Sequence, residues 1–206
     1  MARDTPPQCK QCRREGQKLF LKGERCFTEK CGVERRSYPP GEHGRGRVRA
    51  SEYRNQLREK QKARRFYQLL EKQFRSYYVK ASRQDGVTGD NLLRLLERRF
   101  DNVLVRLGFA ASRRQARQLI GHGHWLINGR RVDIPSYQLR PDDVITIKPE
   151  SPATDAVRGA TELTAAVPPW LQADHDALTA KVLRLPERAE IATPVEEQLI
   201  VELYSK

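Results

Sequence analysis

Of 206 residues only two are tryptophan, one is methionine and four are cysteine, and all four cysteines lie within the first 31 positions. No apolar run approaches twenty residues, and neither a signal-peptide pattern nor a lipidation motif is present, which argues against a membrane partner and for a cytosolic site. There is no glycine-rich phosphate loop, no dinucleotide fingerprint and no serine-nucleophile elbow. Asp142 and Asp143 could pass for paired carboxylates, but directly after Pro141 they read as turn residues. No enzyme is expected.

Acidic charge is the other shortage. Against 39 lysines and arginines stand 26 aspartates and glutamates, a net charge of +13. The imbalance is local: residues 1–150 hold 34 basic and 17 acidic residues, and residues 151–206 hold five and nine. The partner of the first three quarters should therefore be a polyanion, and without a membrane signature nucleic acid fits best.

The densest cationic feature is SRRQARQLIGHGHWLINGRRVD, residues 112–133. Ser112 suits a helix N-cap, with Gln115 three residues on to complete a capping box. Arg113, Arg114 and Arg117 share one side of the helix, and Ala116, Leu119 and Ile120 another. Gly121 is placed to end the helix in the left-handed conformation. Asn128-Gly129 then reads as a two-residue hairpin turn, followed directly by Arg130 and Arg131. His122 and His124 flank Gly123; without a third ligand nearby in sequence they read as RNA contacts or turn residues rather than as a metal pair.

Upstream, YPPGEHGRGR (residues 38–47) cannot form a helix and reads as an extended basic arm, with Arg45, Arg47 and Arg49 along an RNA backbone. From Ser51 to about Ser82 the residues favour helix with a break near Gln68, and Arg54, Arg58, Lys62 and Arg65 form a cationic stripe. Leu92, Leu93, Leu96, Phe100, Val103, Leu104 and Leu107 outline one amphipathic helix from about Asp90. Val144 to Ile147, Val182 to Leu185 and Leu199 to Tyr204 read as strands, and Pro149 to Ala166 as loop or weak helix.

Cys9, Cys12, Cys26 and Cys31 have metal-ligand spacing, a Cys-x2-Cys turn followed by a second pair. A closed four-thiolate shell would hold the segment together rather than catalyse. Zinc is favoured, with an iron-sulfur cluster as the alternative and two disulfides as a third reading. The fold class expected is α+β: a metal-bound N-terminal extension, a small helical domain, and helices packed on a small antiparallel sheet. The segments are 1–50 (metal-binding extension and arm), 51–97 (helical domain), 98–150 (helix-hairpin module) and 151–206 (C-terminal return).

Taken together, the cysteine-bearing N-terminus, YPPGEHG, LREKQKARRFY, FDNVLVRLGFAASRRQARQLIGHGHWLINGRRVDIPSY and the closing PVEEQLIVELYSK resemble the bacterial small-ribosomal-subunit protein four family along almost the whole chain. The 38-residue block alone also resembles a module of pseudouridine synthases, some tyrosyl-tRNA synthetases and heat-shock RNA-binding proteins; the other segments favour the ribosomal family. That resemblance implies direct binding to small-subunit ribosomal RNA at a multi-helix junction, early in assembly. It implies contact with small-subunit protein five, and with proteins three and five a border on the channel through which messenger RNA enters. It further implies support of decoding accuracy, in some members repression of their own messenger, and a cytoplasmic place in the small subunit. The cysteines mark a subset of the family.

Overall fold

A computed structural model describes residues 4–46, 49, 51–163 and 166–206. Arg47 of the basic arm lies outside the described residues. The chain divides into two compact units, one made of residues 1–92 with 193–206 and the other of residues 93–192, so the first unit is discontinuous in sequence. The α+β character expected from the sequence holds, with mixed helices and an antiparallel sheet.

In the first unit, α1 (Gln8–Glu15) ends at Gly16, whose positive φ of 71° supplies the left-handed cap. It packs on the short α2 (Gly32–Arg35). Helix α3 (Glu52–Phe66) starts where Ser51 accepts a hydrogen bond from the Arg54 amide, and α4 (Glu71–Ala81) follows after Gln68, which adopts φ 54° and breaks the path. The expected strand at Leu199 to Tyr204 is instead helix α9 (Glu197–Tyr204), seated against α3. An apolar run of four to eight residues fits either element, and here the glutamates at its start favour a helix N-terminus. The Tyr204 hydroxyl donates to Glu71 (2.7 Å), and its ring stacks on Tyr78 at 4.6 Å.

The division between the units falls within α5 (Thr88–Glu97). The single amphipathic helix expected here is two, because Arg98 and Arg99 break it before α6 (Phe100–Arg106). The Phe100 amide donates to the Tyr137 carbonyl and the Asp101 amide to that of Pro135, so α6 begins on the hairpin's far arm. Helix α7 (Arg113–Gly121) has the expected cap: Ser112 accepts from the Gln115 amide, although Gln115 reaches back to the Ala111 amide rather than to Ser112 itself. The left-handed residue beyond α7 is Gly123 (φ 75°), not Gly121.

The sheet runs β2-β1-β3-β5-β4, all antiparallel. Its strands are β1 (Trp125–Ile127), β2 (Arg130–Arg131), β3 (Val144–Ile147), β4 (Leu171–Asp174) and β5 (Thr179–Val182). Asn128 and Gly129 both take positive φ, as a type I′ turn requires. The expected strand at Val182 to Leu185 is shifted toward the N-terminus, and the segment from Pro149 to Ala166 contains α8 (Thr154–Thr161). Phe100, Leu104, Phe109, Ile120, Trp125, Ile145 and Trp170 are buried together beneath the sheet's helices, with Phe109 stacked on Trp125 at 5.3 Å.

Ile200 on α9 is fully buried. Ile200→Ala should lower the unfolding free energy by about 2–4 kcal/mol, read by urea denaturation. A loss below about 1 kcal/mol would contradict the seating of α9 in the first unit.

Candidate nucleic-acid interface

The cationic helix of the second unit divides its arginines between two tasks. Asp101, on α6, is fully buried and accepts from Arg99 Nε (3.0 Å) and Nη2 (2.8 Å) and from Arg117 Nε (2.6 Å). At the next position Asn102 Oδ1 accepts from Arg113 Nε (3.0 Å) and Nη2 (2.6 Å), Arg113 standing one turn before Arg117 on α7. The Asn102 amide in turn donates to Glu97 Oε2 (2.7 Å), which also accepts from Arg106 Nε (2.9 Å). These charged groups sit in a poorly hydrated interior, where each is tolerated because its donors and acceptors are matched. The two guanidiniums held by Asp101 keep its carboxyl below the usual range, against the upward push of burial.

This corrects the sequence-based assignment of Arg113 and Arg117. Arg113 is only 6% exposed, and the Arg117 side chain 9%, so both guanidiniums serve to lock α7 on α6 rather than face a ligand. The helical spacing that put them on one cationic side could not show that two buried acceptors lay opposite them.

Arg114, His122, Arg130 and Arg131 are exposed. Arg131 lies across Gly123, where even a Cβ would stand 2.3 Å from its Nε, so the glycine leaves room for the guanidinium as well as the turn. The His122 and His124 rings are 6.0 Å apart. His124 is half-buried, its Nδ1 shares a hydrogen bond with Ser151 Oγ (2.9 Å), and burial, with His122 and Lys148 nearby, lowers its pKa. The exposed Lys148, whose amide donates to the His124 carbonyl (2.8 Å), joins this cluster and was missed in the sequence reading. Its signal was topological: it follows β3, which pairs with the strand after His124.

In the first unit the stripe on α3 is only half-exposed. Arg58 Nη1 lies 3.4 Å from Glu15 Oε1, and Arg65 pairs with the same carboxylate, whose side chain is 2% exposed. Burial pushes the Glu15 carboxyl up, against the pull of Arg65 and Arg58. Lys62 pairs with Glu59, and Arg54 donates to the Arg49 carbonyl (3.3 Å). Two members of the stripe therefore fasten α1 to α3. The arm is not wholly extended either: a 3-10 turn spans Glu42–Arg45, and Tyr38 lies between the guanidiniums of Arg13 (4.9 Å) and Arg45 (4.5 Å). Arg45 and Arg49 are exposed.

Cys9, Cys12, Cys26 and Cys31 are free thiols lining one small cavity with Leu21 and Gly32, and a Cβ on Gly32 would come within 2.7 Å of Cys9 Cβ. The disulfide reading is thus set aside. Among the described residues, however, no group of three or more His, Cys, Asp or Glu forms a metal-holding cluster, so the metal-bound extension is not shown.

Residues 3–97 match the family described as ribosomal protein S4/S9 N-terminal domain, and residues 98–145 match the S4 domain. Over their full lengths the chain is 57% identical to small ribosomal subunit protein uS4 of Pelotomaculum thermopropionicum and 54% to that of Pelobacter propionicus. It is also 55% identical to small ribosomal subunit protein uS4A of Clostridium botulinum, again with both chains wholly covered.

Asp101→Asn should cost about 3–5 kcal/mol by leaving buried guanidiniums under-compensated. Because the folded-state pKa of Asp101 is depressed, its contribution is complete above the unfolded carboxylate value and is lost as pH falls through the lower folded one. Thermal melts from pH 7 to 2 should show wild type weakening below about pH 4, with a shallower acid slope for Asp101→Asn.

Proposed function

The chain belongs to the uS4 family of small ribosomal subunit proteins, and from that membership we infer that it is a structural, non-enzymatic constituent of the cytoplasmic small subunit that binds small-subunit ribosomal RNA. The observation that carries the contact surface is the exposure of Arg114, His122, Arg130 and Arg131, with Lys148, on a module whose Arg99, Arg113 and Arg117 are held by buried acceptors. Converging RNA helices present phosphates and 2′-hydroxyls, and A-form major grooves are too narrow for side chains. Exposed guanidiniums on a rigid support suit that target, since each can hold a phosphate through two parallel hydrogen bonds.

The site is a multi-helix junction, bound early so that the body of the subunit assembles on it. Arg45 and Arg49, on an arm pinned at Tyr38, extend the contact, and the half-exposed Arg54 and Lys62 add to it. Small-subunit protein five is a neighbour through which decoding accuracy is supported, and with protein three the chain borders the path of entering messenger RNA. These finer assignments rest on the family resemblance.

For the N-terminal segment we propose one structural zinc ion held by Cys9, Cys12, Cys26 and Cys31. The reading is supported by the Cys-x2-Cys spacing and by four free thiols lining one cavity, a donor chemistry that suits zinc, rather than by a preformed cluster. The bound ion would supply cross-linking and charge compensation for the thiolates. The protein's own residues do the rest: Gly32 admits Cys9, and Glu15 ties α1 to α3 through Arg58 and Arg65.

Salt titrations test the contact surface. Arg130→Ala and Arg131→Ala should each reduce the slope of log affinity against log salt by about one, with stability retained. Arg113→Ala should act mainly on stability; unchanged slopes for Arg114→Ala, Arg130→Ala and Arg131→Ala together would reject the assigned face. Chelation should disorder roughly the first forty residues and leave the helices beyond Ser51 folded, read as loss of amide dispersion for that segment alone. Elemental analysis finding no zinc, or intact N-terminal amide signals after complete metal removal, would refute the zinc site.

A further inference from the structure

Phe20 and Phe27 are exposed phenylalanines on the cysteine segment. Their rings stand 5.1 Å apart at 31°, with Phe20 43% and Phe27 67% exposed. On either side of Phe20, Leu19 and Leu21 are 0% and 2% exposed, so the chain sends alternate residues inward and this phenylalanine outward. Phe20 has φ 51°, a left-handed conformation that is costly for a bulky side chain and that folds retain mainly where it places a group for use. Phe27 directly follows the buried Cys26 and closes the 3-10 turn Gly23–Cys26, so its backbone is held by the cysteine segment. A cleft of about 360 Å³ opens beside the Phe27 ring, with the Lys18–Glu34 ion pair (2.6 Å) in its wall.

The charge around the rings points to the occupant. Over residues 18–36 six cations face three acids, and Lys22, Arg25 and Lys30 are exposed on the short stretch that carries both phenylalanines. An exposed apolar ring pair on a stretch where cations outnumber the interspersed Glu24 and Glu29 matches one chemistry: an unpaired nucleotide offers a flat base to stack and a phosphate to pair, whereas a duplex offers only the phosphates. We propose that Phe27, supported by Phe20, is a stacking platform for unpaired bases of RNA, with Lys22, Arg25 and Lys30 holding the adjoining phosphates. The proposal rests on the ribosomal-RNA reading above and adds a second mode of recognition to it, separate from the arginine face of the second unit.

The test uses the full-length protein. Trp125 and Trp170 are buried in the second unit, so Phe27→Trp places a distinguishable reporter on the platform. A single-stranded oligoadenylate of about six nucleotides should quench that reporter, and the same strand in a duplex should not. Phe27→Leu should weaken oligoadenylate binding about five- to tenfold, Phe27→Tyr should retain it, and the exposure of the ring leaves folding untouched in both. Equal binding by Phe27→Leu, or no quenching of Phe27→Trp, overturns the platform while leaving the ribosomal-RNA reading in place if wild type still binds that RNA. A Phe27→Leu protein that binds oligoadenylate normally but fails to associate with a neighbouring subunit protein overturns it too, reassigning the rings to a protein contact. Failure of wild type to bind small-subunit ribosomal RNA at all defeats both readings.

Discussion

A buried carboxylate with two guanidiniums holds the second unit to one arrangement. Asp101 cannot be inside without Arg99 and Arg117, and neither arginine could be buried there without Asp101. Through this mutual requirement α7 has one permitted seat on α6, and Asn102 with Arg113 repeats the constraint a turn along. The turn after α7, the Asn128-Gly129 hairpin and hence Arg130 and Arg131 inherit their positions from that seat. Rigidity matters because an exposed arginine loses less freedom on meeting a phosphate when its backbone is already fixed.

Arginine therefore does opposite kinds of work within five residues. Arg114 is presented, while Arg113 and Arg117 are consumed. The same division recurs in the first unit, where Arg58 and Arg65 close on Glu15 and Arg54 remains half-exposed. A net charge of +13 describes the affinity of the chain for polyanions but not which cations deliver it.

Elements with a local cause were legible in the sequence. Ser51 and Ser112 cap their helices, Gln68 breaks one, and Asn128-Gly129 turns the hairpin, each through bonds or dihedrals within a few residues. What was not legible depended on distant partners. The sequence does not display that Asp101 and Asn102 face Arg117 and Arg113, that Lys148 arrives beside His124, or that the last apolar run lies on α3 as a helix. The split of one amphipathic run at Arg98 and Arg99 was hidden for the same reason: the Arg99 side chain turns inward to Asp101.

The first unit takes its final helix from the opposite end of the chain. Ile200 enters its interior, Gln56 on α3 donates to Glu202 (3.0 Å), and Tyr67 shares a hydrogen bond with Thr193 (3.0 Å). During vectorial synthesis the N-terminal helices are thus exposed, unfinished, until residues 193–206 follow, whereas residues 93–192 form an uninterrupted stretch. The first unit therefore cannot be completed before its last segment is made, and a nascent chain stalled short of residue 193 would carry the N-terminal helices without α9.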